Sequence, residues 1–390
     1  MPCQNVSAMF VASQPVFIGS EIYRHSSYGR MHPLAIPRVS TCIDLCRALG
    51  WLPDAVYCDS PQATPQQLAR FHDPAYIAAV ESAERTQSVS EAARRRFGLG
   101  AEGNPVFPEV FRRPATAAGG SILAARLLLE GAAGIVFNPA GGTHHGQPAR
   151  ASGFCYFNDP VLAILTLLDG GLSRVLYLDI DAHHGDGVQD AFHDDPRVLT
   201  VSVHEAGRWP MNRPAGPGRA APGSASDRAG GMARNIPVPR DFHDAEMDYV
   251  REAALLTLAE RFEPEAVVLQ CGSDALAEDP MSRLTLSNGA LWRVVAAAAA
   301  MSPRLLCLGG GGYNPWAVAR CWTGVWATLN GWTAPNELAG EAEAVLRALS
   351  WRHSWGRCPP DHWCTTLADP PRQGTLREEV RESVRLAVAP

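Results

Sequence analysis

Short apolar runs alternate along the chain with longer stretches of helical period. Gly134–Asn138, Arg174–Ile180, Val198–Val203, Ala266–Gln270 and Arg304–Leu308 are nearly continuous apolar runs. Their lengths and β-branched content predict buried strands. Between them lie 115–130, 159–168, 244–261 and 287–301, each with the spacing of an amphipathic or buried helix. Strands that alternate with helices predict an α/β fold in which helices cover both faces of a parallel sheet. Residues 205–235, rich in Gly, Pro, Arg and Ser, and residues 86–114 are expected as long loops. The tail from about Thr333 ends in an amphipathic run over 375–388. With no repeat and no linker, one domain is expected over 1–390. Its core would span about 15–335, with a C-terminal extension, about 336–390, packed on it.

Composition narrows the class. Hydrophobic residues make up 46% and charged residues 19%, as in an ordinary globular protein. The net charge of −6 offers no footprint for nucleic acid or an anionic membrane. No apolar stretch is long enough to span a bilayer. No secretion signal is read at the N-terminus. The ten Cys sit mostly in apolar segments with no CxxC pair, so reduced thiols in a cytoplasm are expected. All 34 basic residues are Arg, for which GC-rich coding is the plain explanation.

Chemistry concentrates where the apolar runs end. Asp179, Asp181 and His183 are spaced i, i+2, i+4, which in extended backbone puts them on one face. In parallel α/β sheets ligands bind at the carboxyl ends of strands. Two carboxylates and an imidazole there would repel and desolvate one another without a cation. His and Asp suit Zn²⁺, Fe²⁺ or Mn²⁺; the plain alternative is a solvated polar turn. Asp274, after the run ending at Gln270, supplies a third ligand, although by itself it reads as a turn or helix cap.

His144 and His145 lie in a Gly-rich segment after the first run. They suit proton transfer at a metal site, further metal ligation, or no role. Asp179 and Asp186 are available to orient the two rings. Tyr313 follows four consecutive glycines and is either an oxyanion donor or a core tyrosine.

Together, LDIDAHHGDGV, QCGSDALAEDPM and GGGGYN, in this order, resemble the zinc histone deacetylases of the arginase/deacetylase superfamily. The similarity runs from about Tyr28 to Trp332. Ala368-Asp-Pro-Pro and the helix after it are similar to the bacterial acetoin-utilisation (AcuC-like) branch.

The resemblance implies the arginase/deacetylase fold and a Zn²⁺ ion, with Fe²⁺ as the alternative, on Asp181, His183 and Asp274. It makes His145 the general base and acid, His144 its electrostatic partner, Asp179 and Asp186 their orienters and Tyr313 the oxyanion donor. It also implies a structural K⁺ or Na⁺ held by Asp179, Ser202 and the backbone of Asp181, His183 and Val203. A second such site would use Phe192, Asp195 and Val198. Gly153, Phe154, Trp209 and Met281 would line the substrate tunnel, with Trp209 where the family usually has Phe. Arg38 would line an acetate-release path.

The implied reaction removes acetyl or another acyl group from the side-chain amine of lysine, in a peptide, a protein or a small amine. Homo-oligomers are allowed. One departure stands out. The family's rim Asp falls on Gly103, leaving Glu102 as a substitute, or Glu109 to greet a cationic substrate. Acetylpolyamine hydrolysis is therefore the alternative activity. A two-metal ureohydrolase is disfavoured by the shortage of further Asp ligands and by Tyr313.

Overall fold

The computed structural model describes residues 14–101, 103–211 and 220–390. Eight strands form one all-parallel sheet. They are β1 (Val16–Gly19), β2 (Tyr57–Asp59), β3 (Ile135–Asn138), β4 (Val175–Asp179), β5 (Val198–Glu205), β6 (Ala233–Val238), β7 (Ala266–Gln270) and β8 (Leu305–Leu308). Their order is β2-β1-β3-β8-β7-β4-β5-β6.

The five expected strands are β3, β4, β5, β7 and β8. Each is buried along its length, apart from the first residue of β3. Alternate residues supply two cores. Val175, Tyr177, Val268 and Leu306 face helices Arg112–Leu129 and Asp159–Asp169. Leu176, Leu178, Leu269 and Cys307 face Asn288–Met301 and Pro315–Leu329. A period of two with both faces apolar reads as one continuous apolar run, which is why these strands are visible in the sequence.

Three strands depart from expectation. β1 has only four residues, and β2 is a short, partly exposed edge. β6 is the opposite edge and runs Ala-Arg-Asn-Ile-Pro-Val. An edge strand can carry polar residues and a Pro because one side of its backbone has no neighbour to bond. The segment expected as a loop over 205–235 therefore ends in β6. The one expected over 86–114 contains the helix Glu91–Phe97. Ser90 caps that helix by accepting from the Ala93 amide, and Gly98, at φ 68°, closes it.

The expected helix over 244–261 forms, with a π-helical turn at Arg251–Leu256 inside it. No helix among the described residues is long and apolar enough to cross a membrane.

The C-terminal residues pack on this frame. Helix Glu378–Val388 places Val380, Val384 and Ala387 in the larger core. Arg377 grips buried Glu246 with Nε and Nη2, at 2.7 and 2.6 Å. Arg320, fully buried, pairs with Asp369 at 2.6 Å. Breaking a buried pair strands a charge in low dielectric. Asp369→Ala is expected to lower unfolding stability by about 3–5 kcal/mol, read by chemical denaturation. A loss below about 1 kcal/mol would mean that the pair does not tie the tail to the core.

Candidate active site

Parallel pairing brings the chemistry to one edge of the sheet. Asn138 pairs with Leu308, Leu308 with Gln270, Gln270 with Asp179 and Asp179 with Ser202. The last residues of β3, β8, β7 and β4 thus stand at one level, next to Ser202 of β5. The loops that leave them carry His144 and His145, Tyr313, Asp274, and Asp181 with His183.

Asp181, His183 and Asp274 converge at the centre. One donor atom from each lies within 4.8 Å of the others. His183 Nδ1 is 2.8 Å from Asp274 Oδ2 and 3.3 Å from Asp181 Oδ1. Backbone amides fix both carboxylates: Gly311 donates to Asp181 Oδ2 at 2.6 Å, and Ala182 to Asp274 Oδ1 at 2.9 Å. Gly311 is needed for this approach, since a Cβ there would lie 2.0 Å from Asp274 Oδ2. Asp181 and Asp274 are 1% and 0% exposed, and neither pairs with an Arg among the described residues. Two buried carboxylates and one imidazole nitrogen fit a borderline divalent ion such as Zn²⁺ or Fe²⁺. Three protein donors leave a position open, as catalytic sites require.

The two His rings flank this centre, each held by its own carboxylate. His144 Nδ1 is 2.7 Å from Asp179 Oδ2, and His145 Nδ1 is 2.7 Å from Asp186 Oδ1. The ring centroids are 3.9 Å apart. Their environments differ. Burial works against a charged His144, but Asp179 and Asp181 outweigh it and hold its pKa at about 9. Burial, with His144 and His183 beside it, drives His145 well below the usual imidazole value. Two adjacent titratable groups pushed apart in this way suit one fixed charge and one proton acceptor. Tyr313 is 8% exposed, and burial with Asp274 and Asp181 nearby raises its pKa, which keeps the hydroxyl a proton donor.

Two carboxylates that the sequence reading missed hold these loops. Asp159 accepts from the amides of Gly142 and Thr143 and from the hydroxyls of Ser121 and Thr143, and so fixes the turn before His144. Asp279 accepts from the Tyr313 amide at 2.6 Å and the Met281 amide at 2.9 Å. Burial, then Asp274, pushes its pKa up to about 8. The only signal was an Asp at a helix start for the first and one five residues past Asp274 for the second.

The centre lies between two cavities. An outer mouth of about 780 Å³ is lined by Gly153, Phe154, Trp209, Met281, His145 and Tyr313, among others. The Trp209 and His145 ring centroids are 4.6 Å apart. Gly153 fits beneath them only because it lacks a Cβ, which would come within 2.4 Å of Trp209 and 2.6 Å of His145. Gly103 also lines the mouth, whereas Glu109 does not; Glu102 lies outside the described residues. An inner cavity of about 60 Å³ reaches the same centre from behind and includes Arg38, which donates to Gly310 O at 2.6 Å.

Of the cation-site groups, Asp179 and Ser202 sit side by side in register, and Asp179 Oδ1 accepts from the Asp181 amide. Ser202 Oγ lies 2.8 Å from His204 Nδ1. Val203 is the next residue of β5, on the opposite face. At the second set, Phe192 O accepts from Asp195 N, but the Asp195 carboxylate is already paired with Arg197 at 2.6 Å.

Comparison with known proteins agrees with this arrangement. A histone deacetylase domain model matches residues 32–329. The chain is 31% identical to the acetoin utilization protein AcuC of Bacillus subtilis, covering 96% of each. It is 36% identical to a putative histone deacetylase 2 of Caenorhabditis elegans over 81% of this chain, and spans 61% of that relative's length. The fold matches the crystal structure of an HDAC homolog from Aquifex aeolicus with a TM-score of 0.89 and 35% identity, covering 96% of this chain and 100% of that one. With its parallel eight-stranded sheet and the motif loops gathered at one edge, the chain belongs to the histone deacetylase family and resembles its AcuC members.

Proposed function

We propose that the protein is a zinc-dependent deacetylase that hydrolyses the amide between an acetyl group and the side-chain amine of lysine. One observation carries this reading. The Asp181–His183–Asp274 donor set, two carboxylate-held imidazoles and the Tyr313 side chain meet where the outer mouth reaches the inner cavity.

Asp181, His183 and Asp274 would hold the ion. When bound, Zn²⁺ supplies a Lewis acid and lowers the pKa of a water. The rest falls to the chain's own groups. His145, whose low proton affinity leaves its ring neutral, accepts a proton from the attacking water through Nε2. Asp186 holds the opposite nitrogen and fixes the tautomer. Tyr313 donates its hydroxyl to the oxyanion as the acyl carbon becomes tetrahedral. His145 then returns the proton to the leaving amine. His144, hydrogen-bonded to Asp179, would help hold the water beside it. Gly153, Phe154, Trp209 and Met281 sheath the lysine stem.

The same reading includes Fe²⁺ as an alternative ion, a structural K⁺ or Na⁺ at Asp179 and Ser202, and a cytoplasmic setting. It also treats residues 1–390 as one deacetylase unit.

The mouth bears on the choice between a peptide and a polyamine. Arg150, Arg208 and Arg283 line it. Its one acid among the described lining residues, Glu205, is taken up by the Arg208 side chain and the Arg283 amide. A cationic polyamine would meet repulsion there.

Tyr313→Phe is expected to lower kcat by about 10²–10³-fold on an acetyl-lysine peptide, as loss of an oxyanion donor does, with a much smaller change in KM. Unchanged kcat would remove Tyr313 from the reaction. In side-by-side kinetics, kcat/KM for the acetyl-lysine peptide should exceed that for acetylated polyamines. The opposite order would make the polyamine reading correct.

A further inference from the structure

The outer mouth carries a charge opposite to that of the chain. The protein has a net charge of −6. Yet Arg150, Arg208 and Arg283 line the mouth beside a single carboxylate, Glu205, among the described lining residues. Arg283 is exposed, and its side chain has no hydrogen bond or ion pair among the described residues. Its backbone, by contrast, is fixed from both sides. The Arg283 amide donates to Glu205 Oε2 at 2.9 Å, and Arg283 O accepts from the Asp241 amide at 2.8 Å. Fixing the base of a side chain lowers the ordering cost of a contact at its tip.

The acids tied to this segment are engaged elsewhere. Glu205 accepts from the Arg208 side chain as well as from the Arg283 amide. Asp241 holds its carboxylate against Arg240, at 3.5 Å. Arg150, also exposed, gives Nη1 to Arg95 O at 2.8 Å and pairs with no acid among the described residues. A guanidinium has five N–H donors, so one bond to a carbonyl leaves donors over. Such a fork matches the two oxygens of a carboxylate.

Position identifies which carboxylate. Arg283 lies two residues past Met281 and Arg150 three before Gly153, and Met281 and Gly153 line the same mouth. The mouth measures about 780 Å³, more than one lysine stem fills, so the neighbours of the lysine enter it too. A small acylated amine would leave both guanidinium groups facing water. A peptide brings side chains from either side of the acyl-lysine to their level.

We infer that the mouth selects acidic sequence: Asp or Glu side chains flanking the acyl-lysine pair with Arg283 and Arg150. The substrates are then acyl-lysines in acidic segments of proteins. This rests on the amide-hydrolase reading above and names the substrate class of the same site. Arg283 is the specificity-determining residue, because its guanidinium has no other partner to give up. A positive mouth on a negative chain also draws acidic peptides in and turns basic ones away.

The test uses three peptides of one length with the zinc-loaded full chain. Each has a central acetyl-lysine, flanked on both sides by Glu, by Gln or by Arg. The Glu peptide should exceed the Gln peptide in kcat/KM by about three- to tenfold, the size of one or two exposed ion pairs. The gain should fall mainly on KM, with the Arg peptide lowest. Raising the salt from about 0.01 to 1 M should close the gap, as the Debye length shortens from about 30 to 3 Å. Arg283→Glu should raise the Arg-to-Glu peptide ratio of kcat/KM about tenfold over the parent, whereas a merely structural effect would lower all three peptides together. Arg283→Gln removes the charge without adding one and carries the test should Arg283→Glu fail to fold. It should cut the Glu-to-Gln peptide ratio at least about twofold. Equal turnover of the three peptides, a Glu preference that salt leaves intact, or ratios unchanged in the Arg283 variants would overturn the proposal and leave the deacetylase reading standing. Free Nε-acetyl-lysine hydrolysed as fast as the Glu peptide would also overturn it, since the mouth would then be holding the α-carboxylate of an amino acid. Turnover of none of these substrates would overturn both.

Discussion

The structure depends on two carboxylates, Asp181 and Asp274, buried against one imidazole. Each is withdrawn from water, and each is aimed at His183 Nδ1 by a backbone amide, from Gly311 and Ala182. In a low dielectric such an arrangement repels itself unless a cation stands among the oxygens. Much of the surrounding architecture holds that unfavourable geometry ready. The parallel register sets the strand ends level, Gly311 admits the Asp274 oxygen, and Asp279 and Asp159 pin the loops that deliver Tyr313 and His144.

The two imidazoles that flank this centre stand in different surroundings. His144 and His145 are adjacent in sequence and each is tied to one Asp, yet burial and neighbouring charge push their proton affinities in opposite directions. The difference comes from what each ring faces. His144 is close to Asp179 and within 3.9 Å of Asp181, whereas His145 faces Trp209 and other imidazoles. Such a pair suits one fixed charge and one proton acceptor, as the proposed reaction requires.

Legibility in the sequence followed the range of the forces involved. β4 and β7 were readable because burial on both faces makes a continuous apolar run. β6 was not, because an edge strand can keep Arg234, Asn235 and Pro237. The spacing of Asp179, Asp181 and His183 pointed locally to the cluster that Asp274 completes. The order β3-β8-β7-β4, which pairs residues 170, 38 and 91 positions apart, has no local signature. Asp159 and Asp279 were missed for the same reason, since a carboxylate that collects distant amides looks in sequence like any turn or cap residue.

A single ion is proposed to sit among Asp181, His183 and Asp274. Anomalous diffraction at the zinc edge, from crystals of zinc-loaded protein, tests it most directly. One strong peak is expected at about 2.0–2.2 Å from one oxygen of each Asp and from His183 Nδ1. A second transition-metal peak bridging the same carboxylates, or no peak among these three side chains, would contradict it.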